Sequence, residues 1–450
     1  MKRIIAPLAL LLASCALNLQ PPQVTMPEEY TYTDSQPRNK ELQSRWWAIF
    51  DDALLDSLQE RALCHNRNLQ IAASRIVEAH YTISTARAAL LPSLRMSVQA
   101  EASRTPPSSP VGEVTIAPDI EWSVALFGAL RHTTKQAQAQ YLATEWNYRA
   151  LTLTLTHQVA TSYFTLRAAH HSLAIARQSH KLRMESAALI DSLARYGFSS
   201  GLDQEQAHSL VDVSASDIEQ YRRALNQAQL SLALLIGSTP EYCILPTSLP
   251  HTTLPVDIPA GIPSQLLTHR PDLMQSQYEL QAAAANVGIA RSERFPSVAL
   301  TTSGGVADGN ARELFQQGGW AWSATAGFAQ PLFSFGRLRR NEQIARQQYR
   351  QAALNYEQAA LEALEDVESA LTAVATLREE VLQWQNYVER NARIAQLQEA
   401  LYRAGQSNYL DVISTQQTWY SSQLQQVQII EQQYQALADL VLALGDGWQE

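Results

Sequence analysis

The hydrophobic pattern of the chain changes its period within the stretch 320–401. Over 320–328 apolar side chains alternate with small or polar ones, which is the two-residue period of a strand with one apolar face. Pro331 and Gly336 end this alternation. Beyond them apolar side chains recur at steps of three and four, at Ala360, Leu364, Val367, Leu371, Val374, Leu377 and Val381. No Pro or Gly occurs over 337–404, so the pattern predicts an unbroken amphipathic helix of roughly 100 Å.

The first half of the chain repeats this arrangement. Phe127–Gly128 and Phe335–Gly336 precede the two long helical stretches, and Tyr196–Gly197 and Ala404–Gly405 follow them at the same spacing. A chance match would not keep its register over so long a stretch. The sequence therefore predicts two copies of one unit, made of a helix, two strands, a very long helix and a further helix.

The repeat divides the chain into segments. In order they are a signal peptide over 1–14, a tether over 15–45, a first repeat over 46–236, a central linker over 237–268 and a second repeat over 269–450. The predicted strands cover about 93–103, 113–127, 297–305 and 320–333, and the predicted long helices cover about 129–195 and 337–402.

The first fifteen residues carry the features of an export signal. Lys2 and Arg3 precede an apolar run that is too short to span a membrane, and the run ends in Leu-Ala-Ser-Cys. This ending resembles the bacterial lipobox and predicts lipid attachment at Cys15. The alternative is an ordinary signal peptide with an unmodified Cys15. Whether the two other cysteines, Cys64 and Cys243, form a disulfide stays open at this point.

Composition and motifs exclude several classes of function. The formal net charge of −9 and the absence of a basic stripe argue against a nucleic-acid partner. No Gly-rich phosphate loop, serine nucleophile elbow or metalloprotease motif is present, so we predict no catalytic residue, no cofactor and no enzyme activity. His170 and His171 are adjacent and would point in different directions on a helix, which argues against a metal site.

The four strands predict a membrane barrel built by several chains. Apolar side chains such as Leu94 and Val98 alternate with polar ones such as Arg95 in the first strand. A sheet that crosses a bilayer must close, and known single-chain barrels need at least eight strands. Four strands per chain therefore require several copies, with an apolar face toward lipid and Trp122, Trp320 and Trp322 near one rim. The alternative is a soluble sandwich that buries these apolar faces.

Short motifs occur in a fixed order along the two repeats. They are Cys15, Trp46-Trp47 with Phe50-Asp51, Arg270-Pro271-Asp272-Leu273, Phe295-Pro296-Ser297, Leu332-Phe333 with Phe335-Gly336, and Arg403-Ala404-Gly405 before Tyr409-Leu410-Asp411. In these motifs the chain resembles the outer-membrane efflux proteins of the TolC type, in particular the lipoprotein branch that serves resistance-nodulation-division pumps. The resemblance implies a mainly α fold with a membrane β-barrel: a homotrimer with a twelve-stranded barrel and a long helical tunnel through the periplasm. An equatorial collar would contain the termini and the central linker.

The same resemblance implies where the functional residues lie. The hairpin tips, at Gly197, Gly201, Asp203 and Gly405, would meet a periplasmic adaptor and through it an inner-membrane pump. Leu410, Asp411 and Ser414 would form a periplasmic gate, with Ser414 at a position where many relatives have a second Asp. The alternative is that Leu410 packs within the hairpin and Asp411 caps the last helix, as Asp203 would cap the equivalent helix.

The implied function is a passive exit duct, lipid-anchored in the outer membrane and extending into the periplasm, for drugs, metals or other small solutes. An outer-membrane conduit for protein secretion of the type I kind has the same fold and stays an alternative. A periplasmic coiled-coil scaffold would lack amphipathic strands, and an envelope hydrolase would need a nucleophile.

Overall fold

The computed structural model describes residues 45–103, 111–239, 263–308 and 320–445, together with residues 19, 22, 26, 27 and 30. The described elements, in chain order, are a 3-10 helix Trp46–Phe50, α1 Ala53–His65, α2 Arg67–Ala88, β1 Ser93–Ser103, β2 Val111–Val124, α3 Ala129–Arg195, α4 Gly201–Leu235, a 3-10 helix Pro263–Gln265, α5 Leu266–His269, α6 Pro271–Ser292, β3 Ser297–Asp308, β4 Trp320–Ala329, α7 Arg337–Arg403 and α8 Tyr409–Leu444. The predicted signal peptide, Cys15, Cys243 and most of the predicted tether and linker lie outside the described residues.

The predicted duplication is confirmed. The order α2, β1, β2, α3, α4 in the first half recurs as α6, β3, β4, α7, α8 in the second half. Strands β2 and β4 end a few residues before their predicted ends because their common partner begins there: Val124 pairs with Val298, and Ala329 pairs with Ser297. At Gly128 and Gly336 the chain then adopts φ values of +82° and +79°, a conformation that favours glycine.

One compact unit contains the sheet, with residues 73–147 and 272–359 among its members. Its strands pair antiparallel in the order β1-β2-β3-β4. Pro118 lies inside β2, and because it has no N–H the ladder to β3 is interrupted between the pairs Ile116–Val306 and Asp119–Ser303. Gly305 lies in this gap, where a Cβ atom would collide with the Ile116 carbonyl oxygen. Glycine at this position allows the two strands to approach closely.

The second compact unit is helical and includes residues 45–72, 148–239 and 360–445. Its core contains Trp46 and Phe164, whose side chains are almost fully buried, and the ring of Phe164 lies 4.7 Å from that of Tyr434. The Asp52 carboxylate accepts hydrogen bonds from two backbone amides at the start of α1 and from Arg167 at 2.8 Å. This shared carboxylate joins the start of α1 to α3.

Candidate channel gate and membrane-facing sheet

The two hairpin turns at the ends of α3 and α7 have the same geometry. Gly197 and Gly405 adopt φ values of +80° and +72°. In the first turn the Phe198 amide donates to the Leu193 carbonyl at 2.9 Å, and in the second the Gln406 amide makes the equivalent bond. This is the Schellman motif, in which a left-handed glycine ends a helix and satisfies its last carbonyl groups.

The helices that follow these turns begin differently. Ser200 and Asp203 form a capping box: the Ser200 hydroxyl accepts from the Asp203 amide, and the Asp203 carboxylate accepts from the Ser200 amide. Burial alone would raise the pKa of Asp203, but these bonds and one from the Ser199 hydroxyl lower it. In the second turn Asn408 is the cap, and its side chain accepts from the Asp411 amide at 2.9 Å. The alternative in which Asp411 caps α8 is therefore wrong.

Leu410 does not pack within the hairpin, because 56% of its surface is exposed. Its neighbours Tyr409 and Val412 are buried instead. They form a cluster with residues of α3 and α4, namely Ala187, Ile190 and Ala207. Burial raises the pKa of Tyr409 to about 12. Tyr409 and Val412 thus hold the start of α8 in place, and the alternative in which Leu410 does so is wrong.

The three predicted gate residues share the exposed face of α8. Leu410, Asp411 and Ser414 are all exposed and fall within about 100° of the helix circumference at 100° per residue. Within the described residues the Asp411 carboxylate makes no hydrogen bond or ion pair. Arg403, at the end of α7, pairs with Glu399 four residues earlier. The Asp411 carboxylate is therefore exposed on this face without a charged partner among the described residues.

Two residues that organise this region were not found from the sequence. Asn408 could have been found, because an Asn at the start of a helical pattern is a recognised cap signal. Tyr409 had no comparable local signal, since its burial depends on residues far away in the chain. Gly201, predicted as part of a hairpin tip, is the first residue of α4 and has no positive φ.

One face of the sheet exposes large apolar side chains. The register places even-numbered residues of all four strands on this face. Its exposed members are Leu94, Met96, Val98, Ile120, Trp122, Leu300, Trp320, Trp322 and Phe328. A water-facing sheet would not keep so large an apolar patch, because such patches mark contact with lipid or another surface.

The three tryptophans do not lie near one rim, and that prediction is wrong. Trp122 pairs with Leu300 near the end of β2, and its indole N–H donates to the Leu90 carbonyl at 2.9 Å. Trp320 and Trp322 lie at the start of β4, and Trp322 pairs with Gly304. Leu300 and Gly304 are four residues apart on β3, so Trp122 and Trp322 lie at levels separated by roughly 13 Å along the strands.

The opposite face of the sheet is polar or small. Arg95 lies across from Asp119 and reaches the Glu121 carboxylate at 3.7 Å. The hydroxyls of Ser303 and Ser323 hydrogen-bond across β3 and β4 at 2.8 Å. These side chains suit contact with water.

The described residues also limit the kind of site. No group of three or more His, Cys, Asp or Glu side chains in this part of the chain could hold a metal ion. Across the same residues, no helix contains an apolar stretch long enough to cross a membrane.

Comparisons with known proteins agree in their result. The profile of the family described as outer membrane efflux protein matches residues 58–238 and 262–446. The solvent efflux pump outer membrane protein SrpC of Pseudomonas putida is 32% identical over 414 residues, covering 89% of this chain and 87% of SrpC. The cation efflux system protein CusC of Escherichia coli O6:H1 is 29% identical over 449 residues, 98% of each chain. The open state of the Neisseria gonorrhoeae MtrE outer membrane channel matches with a TM-score of 0.85 and 25% identity, covering 96% of this chain and 98% of MtrE.

The chain belongs to the outer membrane efflux protein family. It is the outer-membrane channel component of an efflux system, and it is not an enzyme. The predicted family and the predicted mainly helical fold with four antiparallel strands in two repeats are confirmed.

Proposed function

We propose that three copies of this chain form a closed exit duct through the outer membrane and the periplasm. Each copy supplies four strands to a twelve-stranded barrel and two long hairpins to a tunnel. Solutes enter from an inner-membrane pump and leave without an energy source in the duct itself. The names of the relatives support small solutes as cargo, because SrpC is a solvent efflux protein and CusC a cation efflux protein.

The observation that carries this proposal is the combination of an exposed apolar sheet face and unpaired sheet edges. Among the described residues β1 and β4 each pair with a neighbour on one side only. An open edge in lipid leaves backbone groups without hydrogen bonds, at several kcal/mol for each group. Joining β4 of one copy to β1 of the next removes every edge. Because four strands are too few to close a barrel, the partners are further copies of the same chain.

The positions of the exposed aromatic side chains support an assignment to the two interfaces between membrane and water. Trp320 is 77% exposed at the end of the sheet remote from α7, and Phe333 and Phe335 are exposed just before α7 begins. Trp122 lies near the equivalent junction with α3. Tryptophan and other aromatic rings collect at the two levels where hydrocarbon meets water. We therefore assign Trp320 and Trp322 to the outer interface and Trp122 to the periplasmic one.

The partners follow from the same arrangement. The turns at Gly197 and Gly405 follow the last residues of α3 and α7, whereas the strands precede the first residues of these helices, so we assign the turns to contact with a periplasmic adaptor. The first turn also exposes Tyr196 and Phe198, each by about four fifths of its surface. Such exposed aromatic side chains suit a protein partner better than water.

The proposed function is tested in an outer-membrane extract and in a deletion strain. We expect a band of trimer size that converts to monomer on heating, because a closed barrel resists detergent until it is unfolded. We expect the deletion strain to become more sensitive to at least one drug, dye, solvent or metal, with recovery on complementation. An unheated band of monomer size would contradict the trimer. Unchanged sensitivity together with loss of a secreted protein would favour the secretion conduit.

Lipid attachment at Cys15 gives a separate prediction. We expect the Cys15→Ser variant to lose incorporation of radiolabelled palmitate, because the thiol is the site that carries the lipid. Ala16 follows the cysteine, and we expect transfer to the outer membrane because it is not the Asp that retains many lipoproteins in the inner membrane. Insertion should survive in part without the anchor, since the barrel itself is held by lipid. Palmitate labelling that persists in Cys15→Ser would refute the assignment.

A further inference from the structure

A cavity of about 430 Å³ lies between α3, α7 and α8 in the helical unit. Its volume is within the range of sites for drug-sized molecules, roughly 300–1,000 Å³. Trp419 and Tyr420 of α8 supply aromatic rings, and Leu182 and Leu189 of α3 supply aliphatic surface. The cavity is therefore shaped and lined like a small-molecule site.

The cavity wall includes Arg183, a residue that is only 7% exposed. Its guanidinium donates to the Gln417 side-chain oxygen at 2.6 Å and to the Leu210 carbonyl at 3.1 Å. It also lies over the Tyr420 ring, 5.4 Å from the ring centre. All these partners are neutral, and no carboxylate in the described part of the chain forms an ion pair with it. Buried charges are usually paired, so this one lacks an anion.

Trp419 contributes its ring to the cavity rather than its indole N–H. The indole nitrogen is buried without an acceptor among the described residues, and it has almost no accessible surface, so it does not face the cavity. The contribution of Trp419 to a ligand is therefore an aromatic surface.

The acidic side chains at the cavity do not cancel its preference for an anionic ligand. Glu399 is already paired with Arg403, and Glu185 is exposed to solvent. Water and salt screen an exposed carboxylate, whereas a buried guanidinium acts through a medium of lower dielectric constant. Arg183 therefore decides which charge the cavity accepts.

We propose that this cavity binds an amphipathic aromatic anion, with its carboxylate or sulfonate toward Arg183 and its ring system against Trp419 and the leucines. Such a ligand would contact α3, α7 and α8 at once, above the turn that carries Leu410. The occupancy of this cavity is measured without reference to transport.

The test compares two probes that share a ring system and differ in charge. Full-length protein purified in detergent is titrated with 2-naphthoate and with 2-naphthylmethylammonium in a calorimeter, with detergent alone as the blank. We expect 2-naphthoate to bind roughly tenfold more tightly or better, as hydrogen bonds to a charged group allow. Equal affinity, tighter binding of the cation, or no binding of 2-naphthoate would overturn the proposal.

Two variants locate the binding. Ser186→Phe fills the cavity from α3 without removing a described hydrogen bond, and we expect it to abolish 2-naphthoate binding. Ser209→Phe adds the same ring to an exposed position on α4 and should bind as the original protein does. Arg183→Gln should retain weak binding and lose the preference for the anion. If Arg183→Gln does not fold, the serine pair still decides: unchanged binding by Ser186→Phe would overturn the assignment to this cavity.

Discussion

The double variant Leu410→Ala, Asp411→Ala raises single-channel conductance several-fold in planar lipid bilayers. We expect this because both side chains are exposed on one face of α8, outside the buried cluster that holds the start of this helix. In the proposed trimer this face turns toward the axis at the periplasmic end. Three leucines and three carboxylates at one level narrow the pore there, and alanine removes both the bulk and the charge.

The double variant should keep its fold, so a change in its conductance would not result from misfolding. The start of α8 is held by Tyr409 and Val412 in the buried cluster and by the Asn408 cap. Neither Leu410 nor the Asp411 carboxylate takes part in these contacts. The trimer should therefore form in normal amounts, and a change in conductance would report on the gate alone.

The matched control is Asp203→Ala in the other hairpin. Asp203 completes a capping box and places a negative charge in the first turn, so its loss should destabilise the start of α4 by about 0.3–1 kcal/mol. Conductance should change little, because this carboxylate is engaged with Ser199 and Ser200. An intact trimer with unchanged conductance in the Leu410/Asp411 variant would show that the constriction lies elsewhere in the channel.

The variant Ala324→Arg should strongly reduce the amount of trimer in the outer membrane. Ala324 is exposed on the apolar sheet face, two residues from Trp322, and pairs with Thr302 of β3. Near the bilayer midplane an arginine on the lipid face costs about 2–4 kcal/mol per chain, and three chains insert together. The measurement is the heat-sensitive trimer band in outer-membrane fractions at equal expression.

Thr325→Arg is the control, because it introduces the same side chain one residue away on the opposite face. That face carries Ser323 and the Arg95–Glu121 pair, so we assign it to the wet lumen. A charge there remains hydrated and should leave the trimer intact. Equal loss of trimer in both variants would contradict a membrane-facing sheet.

Much of this architecture was determined by the sequence alone. The change of period after Pro331 and Gly336 separates strand from helix, and the repetition of Phe127–Gly128 as Phe335–Gly336 identifies two copies of one unit. These are local signals, because side-chain spacing within one segment follows from the geometry of that segment. They were sufficient for the faces of the strands, the long helices and the glycines Gly197 and Gly405 at the turns.

Contacts between distant segments were decided only by the tertiary structure. The register against β3 places Trp122 and Trp322 at different levels, although both belong to the same apolar face. The cap of α8 is Asn408, whereas the equivalent helix α4 uses Ser200 and Asp203, so equal spacing in the repeat did not imply equal roles. The environment of Arg183, surrounded by neutral partners from α4 and α8, has no signature along the chain. Register and burial depend on which segments meet, and periodicity within one segment carries no information about its partner.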